Sequence, residues 1–348
     1  MEMRSLKLSL LAIVSAAMLA FAATPALASD VLTVDMWGGN WRDAVKNTIA
    51  KEFTRETGIE VRFVTGGTIE RLTKAKLDKG HPLSDVTLTT SHIGYLYYTD
   101  GLFQKLDMSK IPNATELFPA AIRSPYTIGL YSYVYTPVFR TDLMPKGFTI
   151  TSWRDLWEPS LKDTVGQSGV DPSYMFIAAA KLEGVPVTEW KQTIPLLEKL
   201  KPNIKAFYQS DATSQDLIRT GETPVQVMLS INAYNLISQH VPITVTVPKE
   251  GAVVNIDVVG IEAGTKHLDA AYKFVNVALS AKVQAELCDI FRAGPLNRNA
   301  KIDPDLAKMP GVFTTPEQWK TEAIDVPDEI RAKLFPVWKD WWTEHLMQ

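Results

Sequence analysis

Short apolar runs alternate with helical patterns along the first third of this chain, and this alternation limits the fold more than any other feature. Residues 31–36 form the first apolar run, and a helical pattern follows it up to Gly58. The pattern has an apolar or aromatic residue at every fourth position: Trp41, Val45, Ile49 and Phe53. Two more apolar runs, at 59–63 and 86–88, enclose a second helical pattern that ends at Gly80. This order predicts a parallel βαβαβ sheet covered by helices.

A second α/β unit is predicted further along the chain. Residues 126–137 are apolar and aromatic, and we interpret them as a strand that crosses into this second unit. Its helical patterns and apolar runs alternate at 171–184, 188–200, 225–229 and 243–247. Residues 252–261 are almost continuously apolar, which is typical of a strand buried on both faces. We expect this strand to return to the first unit, with helices and a tryptophan-rich C-terminal helix after it.

The first 28 residues have the pattern of a secretory signal peptide. Arg4 and Lys7 give a basic start, residues 8–23 are mostly apolar, and small residues at 26–28 suit a signal peptidase. The apolar run is short for a membrane span, and no later run approaches the ~20 apolar residues of one. We therefore predict a mature chain that begins at Ser29, is located in a bacterial periplasm and is not embedded in the membrane.

Composition argues against several classes of function. The only cysteine is Cys288, so no disulfide can form within the chain, and this fits a bacterial periplasm. The formal net charge is −3, which leaves no basic excess for binding nucleic acid. The histidines show no spacing typical of a metal site, and neither a nucleophile elbow nor a nucleotide-binding loop is present. The sequence therefore predicts no metal, no cofactor and no catalytic residue.

Five groups of motifs occur in the same order as in one known family. They are WGGNW at 37–41, KEFTRETGI at 51–59, SWRDLW at 152–157, PKEG at 248–251, and FVN, VQAE and PLN at 274–276, 283–286 and 295–297. On these motifs the chain resembles periplasmic solute-binding proteins of the polyamine (spermidine/putrescine)-binding type, the extracytoplasmic components of bacterial ABC importers. The resemblance extends over nearly the whole mature chain.

The resemblance implies an α/β, two-lobe periplasmic binding protein fold (type II), with a ligand cleft between the lobes and crossing strands as the hinge. It places lobe 1 at 29–134 and 256–300, lobe 2 at 135–255, and a C-terminal helical segment at 301–348 that packs on lobe 2. It also implies a monomer that captures a small-molecule amine solute and delivers it to ABC importer permease subunits. An enzyme is not expected.

Two aspartates are the main candidates for binding the amine. Asp257 interrupts an apolar strand, and a buried carboxylate needs a partner such as a ligand ammonium. The family uses this aspartate to hold an amine, although an ion pair or backbone hydrogen bonds within the protein would also explain it. Asp171 matches a family carboxylate that faces the cleft, but an aspartate directly before Pro172 also suits a helix N-cap. Tyr174 stands where polyamine binders often have another acid, so one negative charge is missing.

Further candidates follow the first and third predicted strands, at the sheet edge where open α/β sheets bind ligands. Trp37, Gly39 and Asn40 belong to the turn after the first strand. They offer an indole face, close approach of the backbone and a side-chain amide. Ser91 and His92 follow the third strand and offer a hydroxyl and an imidazole, or they belong to the N-cap of the next helix.

Departures from the family predict a ligand that is bulkier or more polar than a plain polyamine. Ser230, Asn255 and Ala293 stand where long polyamine binders tend to have aromatic side chains. Arg292 could pair with a ligand carboxylate or be a simple surface charge. Together these positions suggest a zwitterionic or hydroxylated amine, such as an amino-acid derivative, an opine or a γ-amino acid. The alternatives are a binding protein for an anionic solute or a metal, and a periplasmic hydrolase.

Overall fold

The computed structural model describes residues 31–348, and the signal peptide predicted for residues 1–28 lies outside this range. Twelve strands in the described part of the chain form one sheet. They are β1 (Val31–Met36), β2 (Glu60–Thr65), β3 (Val86–Thr90), β4 (Ile122–Ser124), β5 (Thr127–Arg140), β6 (Val165–Ser168), β7 (Ile204–Tyr208), β8 (Val225–Leu229), β9 (Ile243–Val245), β10 (Ala252–Ile261), β11 (Gly294–Pro295) and β12 (Ala323–Ile324).

Helices cover this sheet. The first, α1, consists of Asn40–Val45, a π-helical turn at Lys46–Ala50 and Lys51–Thr57, which follow one another directly. The other α-helices are α2 (Thr68–Leu77), α3 (Ser91–Thr99), α4 (Ser173–Glu183), α5 (Ile194–Glu198), α6 (Asp211–Thr220), α7 (Ser230–Ser238), α8 (Leu268–Ala278), α9 (Ala281–Phe291), α10 (Pro316–Thr321) and α11 (Asp328–His345). Within residues 31–348, none of the helices has both the length and the apolar character needed to cross a membrane.

The first unit has the predicted order of strands and helices. β1 pairs in parallel with both β2 and β3, and Val34 lies opposite Phe63 on one side and Val86 on the other. α1 ends at Gly58, whose φ of 73° favours glycine. The parallel βαβαβ unit is therefore confirmed, and β10 extends it by pairing antiparallel with β3.

Two long strands, β5 and β10, connect the two halves of the sheet. β5 pairs antiparallel with β10 from Ile128 to Tyr135 and with β8 from Tyr135 to Phe139. β10 in turn pairs with β3 through residues 257–261. Both strands are buried along almost their whole length. Because β5 and β10 belong to both halves, they are the crossing strands of the two-lobe fold.

The second unit continues from β5 through β8, β6 and β7. β6 pairs in parallel with β8 and with β7, as is typical of a second α/β unit. We keep the predicted limits as working definitions, so that residues 31–134 and 256–300 are lobe 1 and residues 135–255 are lobe 2.

One helix predicted for lobe 2, at 188–200, is divided in the structure. A 3-10 helix at Val187–Thr193 is followed by the short helix α5. Pro195 lies in the first turn of α5 and has no amide hydrogen to donate to a preceding turn. The proline therefore explains why the apolar pattern does not form one continuous helix.

The C-terminal helix α11 packs on both lobes. On lobe 2, the ring of Trp338 stacks on Phe176 of α4, with centroids 5.4 Å apart. On lobe 1, the Asp328 carboxylate accepts hydrogen bonds from the Ser91 hydroxyl and from two nitrogens of Arg123. α11 is therefore a third connection between the lobes, beside β5 and β10.

Candidate functional site

A cavity of about 190 Å³ lies between the lobes, next to the crossing strands. Asp257 and Asn255 of β10 form its base together with Tyr133 and Tyr135 of β5. Its walls come from the turn after β1, the starts of α2 and α3, the segment before α4, the start of α6, and Phe335 of α11. Arginine and lysine are absent from the described residues that line it. The cavity therefore offers carboxylates, aromatic rings and neutral polar groups.

Asp257 is the most deeply buried acid of this cavity, with 1% of its surface exposed. It lies opposite Tyr131 of β5, where the register between the two crossing strands shifts by one residue. Bulges of this kind change the direction of a side chain. The Asp257 oxygens accept hydrogen bonds from the Tyr131 hydroxyl at 2.7 Å and the Tyr133 hydroxyl at 3.0 Å. No cationic side chain of the described chain forms an ion pair with this carboxylate.

A chain of hydrogen bonds sets the direction in which Tyr133 donates. Arg331 of α11 donates to Asn255 Oδ1 at 2.8 Å, and Asn255 Nδ2 donates to the Tyr133 hydroxyl oxygen at 2.6 Å. Because this oxygen accepts from Asn255, the single hydroxyl hydrogen of Tyr133 is free to point at Asp257. α11 thus supports the position of Asp257 through two intermediate side chains.

Burial raises the pKa of Asp257 to about 7, although the two tyrosine hydroxyls act in the opposite direction. The carboxylate of Asp211 adds to the rise. At neutral pH the protonated and ionised forms of Asp257 are therefore present in similar amounts. A cation placed beside the group favours the ionised form, so the carboxyl loses its proton when a cation binds.

Aromatic rings line the lobe 1 side of the cavity. Trp37 and Trp41 have ring centroids 5.5 Å apart, and Trp41 also lies 6.2 Å from Tyr131 and 4.7 Å from Phe291. The Arg71 guanidinium lies 5.1 Å from the ring of Trp37 and helps to hold it in place. Indole faces stabilise a neighbouring cation by on the order of 0.5–2 kcal/mol. Trp41, which belongs to the apolar face of α1, contacts both the core and the cavity.

Asp171 also lines the cavity, but its charge is balanced within the protein. Its Oδ2 accepts from Arg331 Nη2 at 2.8 Å, and its Oδ1 accepts from the amide and hydroxyl of Ser173 at 2.9 and 2.6 Å. Ser173 is the first residue of α4, so this contact lies at the start of the helix, where the sequence suggests a capping role as an alternative. Burial acts to raise the pKa of Asp171, but Arg331 and Ser173 outweigh it and lower the pKa.

His92 and Thr90 line the cavity where β3 ends and α3 begins. Burial and the nearby Arg331 charge lower the pKa of His92 to about 3, so this imidazole is neutral at physiological pH. Neither Nδ1 of His92 nor Oγ1 of Thr90 has a hydrogen-bond partner among the described residues. Because buried polar atoms normally have a partner, these two atoms are available to a solute.

Three other residues predicted for the site form hydrogen bonds elsewhere. Ser91 donates to the first residue of α11, Tyr174 donates to a side chain of β6, and Ser230 accepts from a backbone amide of β5. Tyr174 also stacks on the cavity residue Tyr135, with ring centroids 4.5 Å apart. These three side chains support the walls of the cavity instead of lining it. Their direct contact with a ligand stays a prediction.

Gly39, Asn40 and Arg292, which the sequence also predicts for the site, do not line the cavity either. Gly39 and Asn40 are exposed at the start of α1, where Gly39 has a φ of 61°. Arg292 is half-buried and ends α9 in a left-handed conformation. The position of Arg292 gives no support to a pairing with a ligand carboxylate. Ligand contact by Gly39, Asn40 and Arg292 therefore stays a prediction.

Among the residues around the cavity that were not predicted from the sequence, four decide its charge and hydrogen bonding: Tyr131, Tyr133, Asp211 and Arg331. The two tyrosines alternate along β5, which indicates a shared face, but only the register against β10 brings that face to Asp257. Asp211 follows a serine that caps α6, so it has the pattern of an ordinary helix start. Arg331 is 76 residues from Asn255, and no local pattern connects them.

Comparison with known proteins identifies the family. Bacterial extracellular solute-binding proteins match residues 48–314 of this chain. The chain is 28% identical to the spermidine/putrescine-binding periplasmic protein 1 of Haemophilus influenzae over 306 residues, 84% of each protein. It is 27% identical to the spermidine/putrescine-binding periplasmic protein of Salmonella typhimurium over 344 residues, 92% of this chain and 97% of that one.

A solved structure confirms the two-lobe fold. An ABC transporter structure from Clostridium perfringens matches 90% of this chain and 99% of its own, with 26% identity and a TM-score of 0.77. The family and the fold that the motifs predict are therefore both confirmed. This chain belongs to the bacterial extracellular solute-binding proteins.

Proposed function

We propose that this protein is the periplasmic substrate-binding component of an ABC importer and that it captures a small solute with a cationic amine. The observation that carries the proposal is Asp257, a carboxylate buried beside the cavity with two hydroxyl donors and no cationic partner in residues 31–348. A buried charge without a counter-charge is costly, and a ligand ammonium supplies that counter-charge. The relatives named for spermidine and putrescine binding support the same ligand class.

The rest of the lining also suits a cation better than an anion. Trp37 and Trp41 contribute aromatic rings, and Asp211 contributes a further carboxylate. An anionic solute would meet these acids without an arginine or lysine beside it in the described lining. The carboxylate of a zwitterionic amine would have only neutral polar groups available in the described lining, such as those of His92 and Thr90. We therefore favour an amine over the anionic alternative.

Capture is a shift between an open and a closed form. A ligand that contacts Asp257 on the crossing strand, Trp37 in lobe 1 and Asp211 in lobe 2 stabilises the closed form, because it binds that form more tightly. The permease subunits recognise the closed protein and receive the solute. No covalent step takes part, so the solute leaves chemically unchanged.

Thermal unfolding with a panel of amines tests this function. The panel contains spermidine, 1,4-diaminobutane, agmatine, 4-aminobutanoate and 4-aminobutan-1-ol. At least one of them is expected to raise the Tm with increasing concentration, because a ligand that binds only the folded protein stabilises it. Asp257→Asn is expected to abolish this rise. The same exchange at Asp305, whose side chain is 88% exposed, serves as the matched control and keeps it.

Two results would contradict the proposal. One is a rise in Tm with anionic sugars or metal ions only. The other is chemical conversion of the solute during long incubation, since a carrier returns the solute unchanged after denaturation.

A further inference from the structure

Asp211 is a second acid of the cavity that has no cationic partner. It is the first residue of α6 in lobe 2 and lines the same cavity as Asp257. Burial raises the pKa of Asp211. The Asn232 amide and the Trp41 indole act in the opposite direction and offset part of this rise. No lysine, arginine or histidine of the described chain forms an ion pair with it. The two acids interact, since Asp211 contributes to the raised pKa of Asp257.

Asp171 differs from Asp211 because Arg331 already balances its charge. Arg331 is 3% exposed, and its guanidinium donates to Asp171, Ser173 and Asn255 at 2.8, 2.9 and 2.8 Å. With three separate acceptors around it, the guanidinium has little freedom to turn away from Asp171. A ligand cation placed at Asp171 would therefore lie close to a buried like charge, and such contacts are strongly unfavourable.

The groups near Asp171 and Arg331 suit an uncharged polar function. His92 lines the same cavity as Asp171, and its imidazole is neutral because burial and the Arg331 charge lower its pKa. Its Nδ1 atom is buried and has no partner within residues 31–348. A hydroxyl or another neutral polar group of a ligand would give this atom its hydrogen bond without adding charge.

We propose that Asp211, and not Asp171, is the second carboxylate that binds the cationic nitrogen of the ligand, and that Arg331 is a positioning residue that keeps the Asp171 side of the cavity charge-neutral. This inference rests on the proposed function and narrows the ligand class. The ligand has one cationic end, which faces Asp257 and Asp211, and an uncharged polar end, which faces Asp171 and His92.

Calorimetric titration of two variants tests the assignment, with the tightest binder of the amine panel as the probe. Asp211→Asn is expected to lower the affinity by about 30-fold or more, as is typical when one partner of a buried charge pair is removed. The matched control is Asp305→Asn, which makes the same exchange at a side chain that is 88% exposed. It is expected to change the affinity by less than about threefold, since Asp305 does not line the cavity.

A pair of probes of equal length gives a second test that needs no substitution. The unmodified protein is expected to bind 4-aminobutan-1-ol about tenfold or more tightly than 1,4-diaminobutane, since a second ammonium would face Arg331. Arg331→Gln is expected to reduce or reverse this preference, because it leaves the Asp171 carboxylate without its counter-charge. If Arg331→Gln does not fold, the preference of the unmodified protein decides.

Different results separate this inference from the function on which it rests. Unchanged affinity in Asp211→Asn, or equal or tighter binding of 1,4-diaminobutane by the unmodified protein, overturns the inference. A folded Arg331→Gln variant that keeps the full preference for 4-aminobutan-1-ol also overturns it. If Asp257→Asn abolishes binding in these experiments, the proposed function still stands. If Asp257→Asn binds normally, both fail.

Discussion

Asp257 is the residue on which the chemistry of the cavity depends, and the sequence identifies it from its position in an apolar strand. The same strand pattern does not identify its partners. Tyr131 and Tyr133 face Asp257 because β5 and β10 pair antiparallel with a bulge at this point, and such pairing joins residues more than a hundred positions apart. A strand pattern indicates which side chains share a face, whereas the register depends on the whole sheet.

The raised pKa of Asp257 predicts how the affinity for an amine depends on pH. Without a ligand the pKa of Asp257 is about 7, well above the usual range for an aspartate, so the carboxylate is lost as the pH falls below about 7. An ammonium binds the ionised form, and the affinity should therefore fall by up to about tenfold for each pH unit below 7 and level off above about pH 8. Calorimetry across this range measures the affinity directly.

The same calorimetric experiment contains its own control. Titrations in buffers with different ionisation enthalpies report how many protons are released on binding, and we expect release near pH 7 and almost none above pH 8. An affinity and a proton count that do not change with pH would show that Asp257 is already ionised in the ligand-free protein.

At the scale of helices and strands, most of the architecture follows from local patterns. The apolar period predicts β1, α1, β2 and β3, and left-handed Gly58 and Gly184 end α1 and α4 where the sequence indicates. The helix predicted to end at Gly80 ends three residues earlier, at Leu77. The helix predicted at 188–200 fails because the apolar pattern continues through Pro195, which cannot continue a helical hydrogen-bond ladder. In this case the residue that breaks the helix is itself visible in the sequence.

The docking of α11 on lobe 1 predicts a difference between two substitutions in the same helix. Asp328→Asn weakens a buried cluster in which Asp328 and Arg123 have side chains only 9% exposed, so a loss of about 1–3 kcal/mol of unfolding free energy is expected. Lys333→Gln breaks a pair with Glu329 whose side chains are 63% and 56% exposed, so it should leave the unfolding free energy nearly unchanged. Urea unfolding measures both, and equal effects would show that α11 is not anchored through Asp328.

At the scale of the whole molecule, three connections join the lobes around the cavity. β5 and β10 belong to both halves of the sheet, and α11 contacts lobe 1 at its first residue and lobe 2 further along. The sequence predicts the crossing strands and places the C-terminal segment on lobe 2. It gives no sign of the contact of Asp328 with lobe 1, because that contact joins a helix start to residues more than two hundred positions away.

The arrangement of these connections predicts that ligand binding changes the overall shape of the protein. Asp257 lies on a crossing strand, Trp37 on lobe 1 and Asp211 on lobe 2, so a ligand that contacts all three draws the lobes together. Small-angle scattering should show a smaller radius of gyration with the saturating amine, no change in Asp257→Asn, and the full change in the control Asp305→Asn. An unchanged scattering curve at saturation would mean that the cavity is preformed, and that the permease distinguishes the loaded protein by something other than closure of the lobes.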